Sequence, residues 1–150
     1  MKISIKEKCK KTNSNKLISL IDNKGGKSEI IFKNPSQKKI TVIKVDGCVT
    51  FPKNAQQYKC DFLVIDNNLM EHFVELKGSD ILHAISQLEN TIKTMSTSLK
   101  KKRYSFIIPT IINPEFSSKI QNAKIHFQKS LSSKLIVERN LYYHTLPSKI

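Results

Sequence analysis

The sequence predicts one α/β domain in which helices pack against a mixed sheet. Short apolar runs separated by turn residues occupy most of the chain up to residue 77, as is typical of strands. An amphipathic stretch with apolar side chains at helical spacing follows residue 80. The segment 104–108 is apolar almost throughout, which indicates a strand buried on both faces. A chain of 150 residues has the length of one domain, so we expect a single domain over 1–150.

The first half of the chain is predicted to hold one short helix and four strands. The helix covers 14–21 and ends at the glycines Gly25 and Gly26. Turn residues at 34–36, 46–47 and 67–68 bound the strands. We predict the four strands over 28–32, 40–45, 61–66 and 70–77.

The second half is predicted to alternate helix and strand. Ser79 or Asp80 caps a helix, and the lysines at 100–102 close it where the helix dipole favours cations. Its apolar stripe comprises Ile81, Ile85, Leu88, Ile92, Met95 and Leu99. Asn113 and Pro114 begin another helix, whose stripe comprises Phe116, Ile120, Ala123 and Phe127. Further strands cover 104–108 and 135–137, which gives the order α-β-β-β-β-α-β-α-β, and 141–144 is a candidate for one more short strand.

The charge of the chain favours a polyanionic partner. There are 26 Lys and Arg residues against 12 Asp and Glu residues, for a net charge of +14. An acidic stretch over 61–90, of net charge −5, separates flanks of +10 and +9. An enzyme that holds a divalent cation against a phosphate needs such carboxylates, whereas local charge balance is the alternative explanation. Nearly all the basic residues are Lys, which contacts phosphate as a point charge rather than reading bases.

Several classes of protein are disfavoured. No apolar run approaches 18 residues and the first residues lack an apolar core, so we expect neither a membrane span nor a signal peptide. The cysteines, Cys9, Cys48 and Cys60, are odd in number and lack C-x-x-C spacing. We therefore expect no disulfide framework, no cysteine zinc site and a reducing, cytoplasmic location.

The hairpin over 61–77 brings together the residues with the clearest chemistry. A turn centred on Asn68 places residues whose numbers add up to 136 opposite each other, so Asp61 faces Glu75. Lys77 shares that face because it lies two residues beyond Glu75. Facing carboxylates repel, but a Mg²⁺ or Mn²⁺ ion between them would relieve the repulsion and activate a water molecule. The alternative is a charge cluster on the solvent side of the hairpin.

The spacing of these residues resembles a known signature. Asp61, thirteen intervening residues and then Glu75-Leu76-Lys77 resemble the PD-(D/E)XK nuclease superfamily, which has the restriction-endonuclease-like fold. The resemblance covers about 40–108 and includes the helix with Gln87-Leu88. Cys60 occupies a position where many members of the superfamily have proline.

The resemblance implies an αβββαβ core with a central sheet flanked by helices. It also implies that Asp61 and Glu75 bind Mg²⁺ or Mn²⁺, that Lys77 serves catalysis and that Gln87 lies near the site. The implied activity is hydrolysis of phosphodiester bonds, with DNA as the expected substrate and RNA as the alternative. The small size suggests that a homodimer or a partner protein supplies specificity.

Three assignments stay open at this level. Asp46 is either a third carboxylate at the metal or a turn residue. Glu29 fits a solvent-facing strand position better than the site. Lys100, Lys101, Lys102 and Arg103 form either a phosphate-contact patch or a solvated helix end. The alternative function is a non-catalytic, basic nucleic-acid-binding or assembly subunit; a regulatory protein bound to an acidic partner is a weaker one.

Overall fold

The computed structural model describes residues 3–22, 26–77 and 79–148. Within them lie eleven strands, two α-helices and two short 3₁₀ turns, at Glu7–Cys9 and Pro114–Phe116. The helices are α1 (Ile81–Met95) and α2 (Ser117–Leu131). The strands are β1 (Ser4–Ile5), β2 (Lys10–Asn13), β3 (Leu17–Ile21), β4 (Glu29–Lys33), β5 (Ile40–Lys44), β6 (Val49–Thr50), β7 (Phe62–Ile65), β8 (Glu71–Lys77), β9 (Arg103–Pro109), β10 (Ser133–Val137) and β11 (Leu141–Thr145).

A six-stranded mixed sheet forms the centre, in the order β10-β9-β8-β7-β5-β2. Within this sheet, β2, β5, β7 and β8 pair antiparallel with their neighbours, whereas β8, β9 and β10 pair parallel. Parallel neighbours need a crossover, and α1 and α2 supply the two that are required. A three-stranded sheet, β11-β4-β3, and the short pair β1-β6 complete the fold. The predicted mixed α/β class is confirmed.

Two apolar clusters cover the two faces of the central sheet. On one face, Phe73 and Ile107 pack with Leu88 of α1 and Phe127 of α2. On the other face, Val74, Leu76, Phe106 and Ile108 pack with residues of the three-stranded sheet, among them Ile30 and Phe32. Both helices therefore lie on one face, and a second sheet occupies the face where the prediction placed helices. β9 is buried along its whole length, as its continuous apolar run predicts.

The predicted first helix is wrong, because residues 17–21 form β3. Ile18 and Leu20 are buried while Leu17, Ser19 and Ile21 are exposed, which is the two-residue alternation of a half-buried strand. Pairing with β4 decides the outcome, since it buries Ile18 and Leu20 in the cluster around Phe32. The glycine stop is described only at Gly26, because Gly25 lies outside the described residues.

The predicted start of α1 is confirmed and its predicted end is wrong. The Asp80 carboxylate accepts a hydrogen bond of 3.1 Å from the His83 amide, as an N-cap does. The helix ends at Met95 with Ser96 as the C-cap, so the lysines at 100–102 lie in a loop and Leu99 is 38% exposed. Ser96, Thr97 and Ser98 favour this stop because their short polar side chains compete with the helix for backbone hydrogen bonds. Asn113 caps the 3₁₀ turn that precedes α2.

Cys9 and Cys48 form a disulfide, which corrects the expectation drawn from cysteine spacing. Their Cα atoms are 5.9 Å apart, although 39 residues separate them in sequence. Pairing of β1 with β6 brings the two segments together, with Ile5 opposite Val49. Cys60 is a free, buried thiol. No helix among the described residues is long and apolar enough to cross a membrane.

The disulfide should stabilise the fold by restricting the unfolded chain. We expect Cys48→Ser to lower the free energy of unfolding by about 2–4 kcal/mol, measured by urea denaturation. Dithiothreitol should lower the wild-type midpoint to that of Cys48→Ser and leave the variant unchanged. A wild-type midpoint that does not respond to the reductant would contradict the pairing.

Candidate active site

The predicted register of the β7–β8 hairpin is confirmed. Phe62 lies opposite Val74 and Ile65 opposite Glu71, so every pair adds up to 136. The Asp61 amide, one residue before β7, donates to the Val74 carbonyl oxygen at 3.0 Å. The Asp61 carboxylate accepts a hydrogen bond of 2.8 Å from the Leu76 amide. Asp61 is therefore held beside Glu75 by both its backbone and its side chain.

The backbone departs from a regular strand at Asp61. The carbonyl oxygen of Asp61 accepts from the Val45 amide at 2.8 Å, while its own amide donates toward β8. In a regular strand, the N–H and C=O of one residue point to the same neighbour. The irregularity ties Asp61 to strands on both sides and ends the β7–β8 ladder at the carboxylate. This half-buried side chain thus lies at the junction of three strands.

Glu75 is the most confined carboxylate of the group. Glu75 is only 2% exposed and lies on β8, between Phe73 and Lys77 in the sequence of the strand. Its Oε1 atom is buried without a hydrogen-bond partner, which is costly for a polar atom. Burial, and next the Asp61 carboxylate, raise the pKa of Glu75 to about 9. Glu75 therefore holds a proton at neutral pH unless a cation replaces it.

Further charged groups act on this pair. Burial raises the pKa of Asp61, and the carboxylates of Asp22 and Asp46 raise it further. The Lys77 ammonium acts in the opposite direction and lowers the pKa of both Asp61 and Glu75. The fold thus brings Asp46 into the electrostatic environment of the predicted pair.

A cleft of about 280 Å³ opens beside Asp61. Asp22 and Asp46 line it together with Asp61, and Lys44 and Phe62 complete its wall. Sequence reasoning missed Asp22 because it placed the residue just after a helix. The sequence offered no clear signal, because Leu17–Ile21 is apolar at four of its five positions and the alternation appears only in the burial of the folded strand.

The donor set suits a small, hard cation that retains water. No group of three or more His, Cys, Asp or Glu side chains in the described part of the chain is arranged to hold a metal ion. Mg²⁺ binds through one or two carboxylates and keeps several waters, so it does not require such a group. Asp61 and Glu75 meet that requirement, and the unpartnered Glu75 Oε1 is an oxygen with free coordinating capacity.

Gln87 lies behind the strand that carries Asp61. Its Nε2 donates to the Lys59 carbonyl oxygen at 3.0 Å, and its Oε1 is buried without a partner. One turn further along α1, the Thr91 hydroxyl accepts a hydrogen bond of 2.9 Å from the Cys60 amide. Helix α1 therefore binds Lys59 and Cys60, the two residues before Asp61. Through these contacts Gln87 and Thr91 help to position Asp61.

The predicted phosphate patch lies at the other end of the sheet. Arg103 is fully buried, and its guanidinium donates to Glu71 Oε1 at 3.2 Å and to the Ser98 and Leu131 carbonyl oxygens. Arg103 is thus a structural residue, and its assignment to a phosphate-contact patch is corrected. The lysines at 100–102 are exposed. Glu71 and Glu75 are four positions apart on β8, a distance of about 13 Å along the strand.

Glu29 lies on the three-stranded sheet, where its carboxylate accepts a hydrogen bond from the Ser19 hydroxyl. This position agrees with a residue on the solvent side of a strand.

No family model, curated protein or solved structure matches this chain.

The buried Glu75 should make the metal-free protein less stable as the pH rises. The folded state keeps the Glu75 proton up to about pH 9, whereas the unfolded chain releases it near the ordinary value of 4.5. Between those values each pH unit should cost at most about 1.4 kcal/mol, measured by urea denaturation in EDTA. Glu75→Gln keeps a neutral side chain, so its stability relative to wild type should rise with pH. Glu29→Gln is the surface control, and parallel wild-type and Glu75→Gln profiles would contradict the assignment.

Proposed function

We propose that this protein is a metal-dependent nuclease of the PD-(D/E)XK type, with DNA as its favoured substrate and RNA as the alternative. One observation carries the proposal. A buried carboxylate, Glu75, has an unpartnered oxygen and lies beside Asp61, whose carboxylate accepts from the amide of the adjacent Leu76, with Lys77 two residues further along β8. Such an arrangement is unfavourable in a sheet unless a cation or a proton compensates it.

The fold supports the proposal over the segment β5 to β9. Strands β5, β7 and β8 run antiparallel, α1 crosses over, and β9 joins β8 in parallel. This order supports the βββαβ portion of the core that the resemblance implies. Among the described residues before β5 there is no α-helix to serve as the first helix of that core, and β3 and β4 lie there instead. The proposal therefore depends on the hairpin, α1 and β9.

The residues present could divide the chemistry as follows. A Mg²⁺ or Mn²⁺ ion held by Asp61 and Glu75 would polarise the phosphodiester and lower the pKa of a bound water. Glu75 would release its proton to solvent on binding the ion, since only the carboxylate is a ligand. Lys77 would neutralise the negative charge that develops on phosphate as the water molecule releases a proton to solvent and its oxygen bonds to phosphorus. The P–O bond on the opposite side then breaks, and its oxygen takes a proton from solvent.

Variants of the site should lose cleavage without losing the fold. We expect Lys77→Met and Asp61→Asn each to reduce Mg²⁺-dependent cleavage of labelled DNA by at least about 100-fold. Lys119→Met removes an exposed lysine of α2 and should retain wild-type activity. Circular dichroism and thermal unfolding would check that the variants are folded. Undiminished cleavage by Lys77→Met would refute the catalytic role.

The second candidate is a non-catalytic nucleic-acid-binding subunit. The net charge of +14 favours it, as does the lack of a group of three metal-ligand side chains among the described residues. The two candidates differ in their response to metal. A nuclease should be stabilised by millimolar Mn²⁺, with a rise in melting temperature that Asp61→Asn abolishes. A binding subunit should show no such rise and should bind nucleic acid equally well in EDTA and after the Asp61→Asn change.

A further inference from the structure

A second cavity, larger than the carboxylate cleft, lies between the two sheets. It has a volume of about 640 Å³ and runs between the β2–β5 edge of the central sheet and strand β3. Three lysines line it, Lys8, Lys11 and Lys44, and none of the residues that line it is acidic. We call this cavity the lysine groove.

The lysine groove continues into the carboxylate cleft. Ile21, Lys44, Gly47 and Phe62 line both the groove and the cleft that contains Asp61. The groove is lined by three lysines and no carboxylate. The adjoining cleft is lined by three carboxylates and one lysine, Lys44. A chain of phosphates has the complementary pattern, because it needs cations along the backbone and a bound divalent ion at the bond that is cleaved.

We propose that the lysine groove binds one single strand of nucleic acid and leads its backbone to Asp61. Lysine contacts phosphates as a point charge and does not read base edges, so the proposed binding does not depend on sequence. The half-buried ring of Phe62 lies where groove and cleft meet, and an aromatic ring there can stack on a base. Thr12 and Asn13 add hydrogen-bonding groups to the wall.

The size of the groove selects a single strand over a duplex. A cavity of about 640 Å³ is in the range that encloses a small organic ligand, about 300–1,000 Å³. One or a few nucleotides of a single strand fit such a space, whereas a duplex presents its phosphates on the outside of a wide rod. Delivery of a strand to the carboxylates rests on the proposed nuclease function, but binding in the groove does not.

A matched pair of triple variants tests the proposal. One variant carries Lys8→Gln, Lys11→Gln and Lys44→Gln, and the other carries Lys93→Gln, Lys119→Gln and Lys129→Gln, which change exposed lysines of α1 and α2. Both lose three positive charges, but only the first loses them from the groove. Fluorescence anisotropy of a labelled oligothymidylate in EDTA measures binding without cleavage, and thermal unfolding checks that each variant folds.

We expect the groove variant to bind the oligothymidylate at least about tenfold more weakly at moderate salt. The slope of log K against log salt should shrink by about 2, since each phosphate contact on a single strand contributes about 0.7. The control variant should change binding less than about twofold, and unlabelled duplex of equal length should compete poorly. Equal losses in the two variants, or equal competition by duplex, would overturn the proposal.

Cleavage assays separate this proposal from the proposed function. If the groove variant loses binding while the wild type cleaves no substrate with Mg²⁺ or Mn²⁺, the groove assignment holds and the nuclease assignment fails. If the wild type cleaves single-stranded DNA and the groove variant cleaves it equally well at limiting substrate, the nuclease assignment holds and the groove assignment fails.

Discussion

Burial of the Glu75 carboxylate is the constraint on which the rest of this structure depends. Glu75 occupies the middle of the central sheet, paired with Ile107 of β9 on one side and next to Asp61 on the other. A carboxylate in that position destabilises the fold unless it is protonated or bound to a cation. The surrounding apolar residues offset this cost, because Phe73 and Leu76 on the same strand anchor the clusters on opposite faces. Extensive burial around β8 is thus what keeps an unfavourable group in place.

Three parts of the fold hold Asp61 and the two residues before it. They are β8 through the Leu76 amide, the residue after β5 through the Val45 amide, and α1 through Gln87 and Thr91. Each of these hydrogen bonds has a backbone group as one partner, so the position of Asp61 follows largely from the path of the backbone. The proposed metal-dependent chemistry requires carboxylates positioned in this way before an ion binds.

The hairpin could be predicted from the sequence because its information is local. The turn at Asn68 fixes the register, which ends at the Phe62–Val74 pair and so brings Asp61 beside Glu75. What could not be predicted depends on pairing between distant segments. Residues 17–21 become a strand because β4 is beside them, and β1–β6 pairing joins Cys9 to Cys48. The end of α1 was also missed, since an apolar stripe that reaches Leu99 overrode the stop at 96–98.

The acidic stretch over 61–90 shows why charge along a sequence is a poor guide to charge in space. Of its six acidic residues, only Asp61 and Glu75 belong to the site. Asp66 accepts hydrogen bonds in the hairpin turn, Glu71 pairs with Arg103, Asp80 caps α1, and Glu89 bonds to Lys93 and His126. Two carboxylates that do line the cleft, Asp22 and Asp46, come from the basic first segment of the chain. The lysines that line the adjoining groove come from that segment too. The first 60 residues therefore supply both lysines and carboxylates at one end of the sheet. Asp61, just before β7, and Glu75 of β8 add two further carboxylates there.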